Sequence, residues 1–479
     1  MVLLVASCLL IAPVQSQAPL PAFPGAEGFG AMTTGGRGGE VIYVTSLNPE
    51  GPGSLQEALN TLGTRTIVFS VSGVIPAIAN IIYGDVTVAG QTSPGGIIVR
   101  GMVCDGHYDV NDCDNLIIRH IRSRPAGHLL AGDAQDDALR LDGVENVVID
   151  HVSLANATDE EVQISLARNV TIQNTILGET VGDHAQFGGM LINYSHSERP
   201  QDNLSIHHNM WYHIQGRLPE ISCELVGFPG GEGEAEIPSQ CSAAPLHLEV
   251  SSDLLWDPGG PVTYNDNSIE GQGQPQAGIF LIDLNWVDNF LFARPDYTHA
   301  MIASSVIAQP GGVLYFKGNR MNLYPDYADG ELAYCCNDFN LYNPNTEPPA
   351  AIMLAERHDF PAITYTPADE LVAYMIGNVG AFPRDPMDTR YIQSLISGEI
   401  VPLPYDQPAA DDAFDTIANP PPAPTDTDLD GMPDEWEEAR GLDPNTPDNH
   451  GTELSQEGYT NLEVYLNELA DRLVEAGTA

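Results

Sequence analysis

The chain has 479 residues, 43% of them hydrophobic, which allows one large cored domain with a smaller companion or two to three ordinary domains. Its formal charge is −48, from 66 acids against 18 basic residues, and only one of those, Lys317, is lysine. That balance excludes nucleic acid as a partner, because phosphate binding rests on basic patches; it fits a saline habitat, where salt screens self-repulsion, and makes divalent cations natural partners of the carboxylates.

The first stretch, MVLLVASCLLIAPVQSQAPLPAF, has a short apolar run followed by small and polar residues. It reads as a signal peptide over residues 1–17, cleaved near Ser16 or Ala18, so secretion is expected. VASC at 5–8 also has the form of a lipoprotein box, but only seven residues precede Cys8, so lipidation ranks second. No later stretch is apolar for 18 residues, and no membrane span is expected. With 46 glycines and 37 prolines, the composition suits many short strands and turns.

SLQEAL, residues 54–59, opens with Ser54 and has Glu57 three residues on, the pattern of a capping box. A short helix there would cover the bare end of a stacked structure. TIVFSVSGVI (66–75) and DVTVAGQT (85–92) then read as strands of its first coils. Removing the leader leaves Cys104, Cys113, Cys223, Cys241, Cys335 and Cys336. An even count in a secreted chain favours disulfides. Cys104–Cys113 and Cys223–Cys241 are the economical pairings, and the state of Cys335 and Cys336 stays open.

A strand signature repeats along the middle of the chain: NLIIRHI from Asn115, NVVIDHV from Asn146, NVTIQNT from Asn169 and NLSIHHN from Asn203. The intervals are 31, 23 and 34 residues, the period of a solenoid with loops of varied length. One asparagine per coil would stack into a ladder of amide hydrogen bonds. Around the second copy, DDALRLDGVENVVIDHVSLANATDEE (136–161) carries acids at both ends, either solvated or flanking something positive. Asp150 and His151 read as structural, and His207, His208 and His213 as packing or loop residues. His184, in GDHAQFGG, is a candidate for the wall of a substrate groove.

These segments carry a resemblance. FPGAEGFGAMTTGGRGG (23–39), NVVIDHVSLANATDE (146–160) and HIQGRLPE (213–220), in that order, resemble the motifs of the pectate lyase family, over roughly residues 22–330. The resemblance implies an all-β fold, a right-handed parallel β-helix with a short N-terminal capping helix, spanning residues 18–415. It further implies calcium at the ends of core strands, with Asp137, Asp159 and Glu160 as ligands, and Arg217 as the catalytic arginine. His184 and His213 are taken as substrate-binding. The implied reaction is β-elimination on pectate (polygalacturonate) or a related uronic-acid polymer. A guanidinium ordinarily stays protonated, so Arg217 as base needs a neighbouring cation whose repulsion favours the neutral form.

Three positions depart from the family pattern. Gln163 stands where a further acid is common, Ser222 where a second arginine is common, and no lysine occupies the place of a substrate-binding one. A weaker calcium site or one with redistributed acids, and a preferred substrate other than plain polygalacturonate, stay open. So do two alternatives on the same scaffold, a glycoside hydrolase with two positioned carboxylates and a non-catalytic polysaccharide-binding protein.

ANPPPAPT (418–425) reads as a Pro-rich linker, within boundaries of 416–425. DTDLDGMPDEWE (426–437) follows, with Asp426, Asp428, Asp430, Asp434 and Glu437 at positions 1, 3, 5, 9 and 12 of an EF-hand loop and Gly431 at position 6. Residues 426–479 are therefore expected to be a small calcium-binding tail, similar to thrombospondin type 3-like and dockerin-like modules. A second copy around Gly458 is degenerate, and NLEVYLNELADRLVEA reads as an amphipathic helix. A monomer is expected.

Overall fold

The computed structural model describes residues 20–106, 112–125, 137–181, 188–193, 195, 199–222, 244–260, 262–266, 281–302, 304–307, 311–334, 351–400 and 412–477. The leader, His184 and the cysteines at 223, 241, 335 and 336 lie outside these residues.

Among the described residues the strands form three sheets of eleven, nine and seven members, in which every pairing is parallel. One coil shows the path. Glu145–Asp150 belongs to the long sheet, Ser153–Ala155 to the nine-stranded sheet and Glu160–Ser165 to the seven-stranded sheet, and Arg168–Gln173 then pairs back with Glu145–Asp150. This is a parallel β-helix. Alternate residues point inward and stack: Leu116 and Ile118 meet Val147 and Ile149, which meet Val170 and Ile172, which meet Leu204 and Ile206. All eight are fully buried in one continuous core, each worth roughly 1.5–3 kcal/mol of burial.

The repeated asparagine has two jobs. Asn115, Asn146, Asn169 and Asn203 all have positive φ, between 62° and 64° for the first two and 55° and 60° for the others. Among non-glycine residues, asparagine tolerates that left-handed conformation best. The ladder also forms: Asn203 Nδ2 donates to Asn169 Oδ1 at 3.0 Å, and Asn169 Nδ2 to Asn146 Oδ1 at 3.1 Å. Asn115 instead donates to Asp85 Oδ1 at 2.6 Å, carrying the line into an earlier coil.

The first helix is Leu55–Leu59, capped by Ser54 Oγ, which accepts from the Glu57 amide at 3.1 Å. Glu57 reaches back one residue further than a capping box does, to the Gly53 amide at 2.6 Å. The other helix end is closed by buried Arg65, whose Nε and Nη2 donate to the carbonyls of Ala58 and Leu59, each at 2.9 Å. Cys104 and Cys113 form a disulfide with their Cα atoms 6.2 Å apart.

Two helices that no sequence expectation covered, Leu371–Asn378 and Pro386–Ser397, lie on the nine-stranded sheet. Beneath them Arg124 donates to Asp385 Oδ2 at 2.7 Å and Asp388 Oδ1 at 2.9 Å, and Arg122 donates to Asp388 Oδ2 at 3.1 Å. All four side chains are buried. Burial opposes ionisation of Asp385, yet Arg122 and Arg124 outweigh it and hold its carboxyl below the usual range. The tail returns to the body: Met432, Trp436, Leu462, Tyr465 and Leu466 share one apolar cluster with Val68 and Ala89 of the long sheet. Arg37 Nε meets Glu463 Oε1 at 2.6 Å across 426 residues of sequence.

Two stability predictions arise here. Asp388→Ala leaves Arg122 and Arg124 buried with one carboxylate between them, and urea unfolding should show a loss of about 3–5 kcal/mol. Asn169→Ala should cost about 1–3 kcal/mol, while Asn169→Gly, which keeps the backbone conformation and loses only the ladder, should cost less in the same assay.

Candidate active site

Neighbouring strands of the seven-stranded sheet begin side by side: Leu139–Asp142, Glu160–Ser165, Gly188–Asn193 and Leu218–Ser222. Asp137 lies two residues before the first, Asp159 just before the second, Glu160 opens the second, and Arg217 lies just before the fourth. Asp137 and Arg217, 80 positions apart in sequence, are thus brought to one edge by stacking alone.

The carboxylate oxygens of Asp137, Asp159 and Glu160 lie within 4.8 Å of one another. Asp137 and Glu160 are 8% and 1% exposed, and Asp159 is half-buried. The Glu160 amide donates to Asp137 Oδ1 at 3.2 Å, locking one coil to the next. Arg217 is 6% exposed; its Nη1 lies against Glu160 Oε1 and its Nε donates to Glu220 Oε2 at 2.8 Å. The intervening strand opens with Gly188, in register with Glu160, so no side chain stands between the guanidinium and that carboxylate. Arg217 itself has φ +54°, a conformation disfavoured for an arginine, and its carbonyl is held by the Met190 amide at 2.6 Å.

The site carries more acid than base. Burial raises Asp137, an effect Arg140 and Arg217 only partly offset. Burial pushes the Asp142 carboxyl up to about 7 against the pull of Arg140, with Asp105 adding repulsion. Glu161, fully buried behind Glu160, is raised well above its ordinary range, chiefly by desolvation. A cluster of hard oxygen donors with excess negative charge fits calcium, which takes six to eight oxygens and accepts some from water or ligand.

Arg140 and Glu220 escaped the sequence reading. Arg140 projects outward between inward Leu139 and Leu141, donates to Asp137 Oδ2 and Gln163 Oε1 at 2.8 Å each, and lies 3.8 Å from Asp142. Gln163 is its register partner. The position where the family pattern carries an acid thus holds an amide tied to a guanidinium. The alternation LRLD was the available signal. Glu220 was legible only as a residue three places from Arg217 on one strand.

His213 does not suit substrate contact. It is 3% exposed, and its Nδ1 pairs with Asp257 Oδ2 at 2.7 Å, which makes it part of the coil wall. Asp150 is likewise enclosed, bonded by Arg119 Nε at 2.8 Å and Gln173 Nε2 at 2.9 Å. In the tail, Asp426, Asp428 and Asp430 come together, and so do Asp430, Glu437 and Asp448. Asp434 is the exception: its carboxylate accepts from the Thr427 amide and hydroxyl, each at 2.7 Å, and caps the turn. Asp448, from a later turn, was not anticipated.

No family model matches the chain. Curated proteins do. "Probable pectate lyase C" of Aspergillus terreus is 32% identical over 471 residues, covering 96% of each chain. Its namesakes in Aspergillus flavus and Aspergillus fumigatus are 31% and 32% identical, covering 97% and 95% of each chain. Among solved structures, jun a 1, the major allergen from cedar pollen, aligns with a TM-score of 0.49 and 14% identity over 74% of this chain and 92% of that one. The curated alignments run well beyond residue 330, where the motif resemblance stops. With relatives above 30% identity along almost the whole of both partners, the chain belongs to the pectate lyase family and is a polysaccharide lyase.

Proposed function

We propose that this protein is a secreted, calcium-dependent lyase that cleaves pectate or a related uronic-acid polymer by β-elimination. The observation that carries the reading is the meeting of Arg217 with the Asp137–Asp159–Glu160 cluster on one sheet edge. Secretion rests on the leader-like residues 1–17. The substrate class rests on the relatives' names and on the residues available.

Calcium held by Asp137, Asp159 and Glu160 would neutralise a uronate carboxylate and stabilise the enolate that develops beside it. Arg217 is the base in this reading. It takes the proton from the carbon next to the carboxylate, that electron pair forms the new carbon–carbon double bond, and the bond to the glycosidic oxygen breaks. Water protonates the leaving oxygen. Glu220 holds Nε and so orients the guanidine. Glu160 faces both the acid cluster and Arg217; turned toward a cation it would loosen its hold on the guanidinium, while Glu220 keeps Nε oriented. Arg140 has a side chain 28% exposed against 8% for Arg217, and takes the part of the missing lysine in meeting a substrate carboxylate. Salt screening and bridging cations offset the repulsion between a polyanion and so acidic a protein.

The test follows ultraviolet absorbance of unsaturated product from polygalacturonate and from esterified pectin, with and without calcium. Arg217→Ala should lower turnover about 10²–10⁴-fold with the circular dichroism spectrum unchanged. Asp159→Asn should raise the calcium concentration needed for half-maximal rate. New reducing ends without absorbance would mean hydrolysis and would sink the elimination reading.

A further inference from the structure

The tail holds a second set of carboxylates that the proposed reaction does not use. Asp430 belongs to both of its triads, one with Asp426 and Asp428 and one with Glu437 and Asp448. An acidic cluster alone says little, since carboxylates often point into water. Here one of them cannot. Glu437 is 0% exposed, and neither of its carboxylate oxygens has a hydrogen-bond partner among the described residues. Leaving such a group bare costs several kcal/mol. Buried oxygens of Asp428, Asp448 and Asn461 are also without a hydrogen-bond partner. Asn461 is held beside the second turn, its Nδ2 donating to the Asp448 carbonyl at 3.0 Å. Burial, with Asp430 and Asp428 behind it, pushes the Glu437 carboxyl up to about 8.

The same loop forms the contact with the solenoid. Tyr43, on the outermost strand Glu40–Val44, bonds Asp426 through its hydroxyl. Gly431 has φ +98°, and a Cβ there would stand 2.9 Å from Leu462 and 3.2 Å from Val41. Asp430 Oδ2 accepts from the amides of Asp448 and Asn449, each at 3.0 Å, and so joins the two turns. Met432 and Trp436, which flank these acids in sequence, are the residues that enter the apolar cluster with Val68 and Ala89. The shape of the docking face therefore depends on how the acids are drawn together.

We propose that Asp426, Asp428, Asp430, Glu437 and Asp448 form a calcium site, built from two turns rather than one EF-hand loop, whose occupancy clamps the tail onto the first coils. The cation draws the two turns together around Asp430 and relieves the repulsion among the five carboxylates. Its role is mechanical, and it uses none of the residues assigned to elimination. All five donors are hard oxygen groups, which selects calcium over softer metals.

The experiment uses the full-length protein stripped with a chelator. Bound calcium is counted by equilibrium dialysis, and thermal unfolding is followed with and without calcium. The wild type should gain roughly 3–5 °C with saturating calcium. Asp159→Asn should keep most of that gain. Glu437→Gln should lose it and bind at least one calcium fewer, while its turnover at saturating calcium and below its own melting temperature matches the wild type. A wild-type protein with no calcium-dependent gain, or a Glu437→Gln variant that gains as much as the wild type, overturns the proposal. Should that variant fail to fold, limited proteolysis of the stripped wild type decides instead. Calcium, and not magnesium at equal concentration, should protect the 416–425 segment several-fold; equal cleavage with and without calcium refutes the clamp.

Discussion

Parallel stacking at one fixed register governs the rest of this molecule. Each strand pairs with its counterpart one coil away, so any position on a coil faces the same position above and below. Inside, that rule makes files of aliphatic side chains. At the left-handed corner it makes a file of asparagines, in which Asn203, Asn169 and Asn146 bond one to the next and Asn115 bonds Asp85. At the start of the seven-stranded sheet it makes a file of whatever the loops deliver there, and these are Asp137, Glu160, Gly188 and Arg217. The site needs no special fold element. It is one more file, with charge where others have carbon.

That charge is the second organising fact. The sheet edge holds Asp137, Asp142, Glu160, Glu161 and Glu220, all buried, against buried Arg217 and the partly exposed Arg140. Under the two helices the buried ions balance: Arg122 and Arg124 face Asp385 and Asp388, two against two. The contrast separates ion networks that hold helices to the solenoid from acidic clusters whose oxygens exceed the protein's own cations. The sheet edge and the tail turns are of the latter kind.

Much of this was legible in the amino-acid order, for identifiable reasons. One asparagine per coil is visible because a left-handed corner tolerates few residue types. Asp159, Glu160 and Arg217 could be placed because they lie in short contiguous motifs, and Asp137 by its position ahead of one of them. Arg140 could not, because its role comes from facing Gln163 one coil away, and register is not written in either segment alone. The helices 371–397 were missed since their purpose, covering the nine-stranded sheet, depends on buried arginines some 260 residues earlier. In the tail, loop arithmetic assigned Asp434 as a ligand; its carboxylate accepts from the Thr427 turn, while Asp448, from the next turn, lies beside Asp430 and Glu437.

The docking of the tail on the first coils has a consequence for how the chain is made. The partners Arg37 and Glu463 are 426 residues apart, so the apolar patch around Val41, Tyr43, Val68 and Ala89 has no cover while the chain is being synthesised. At 5–20 residues per second that interval is roughly 20–85 s. A solenoid can zip coil by coil as it emerges, but this one is fastened only when its last helix arrives. A chain cut short before residue 426 leaves this patch bare however well its middle has folded, and so carries a mark by which an unfinished molecule differs from a finished one.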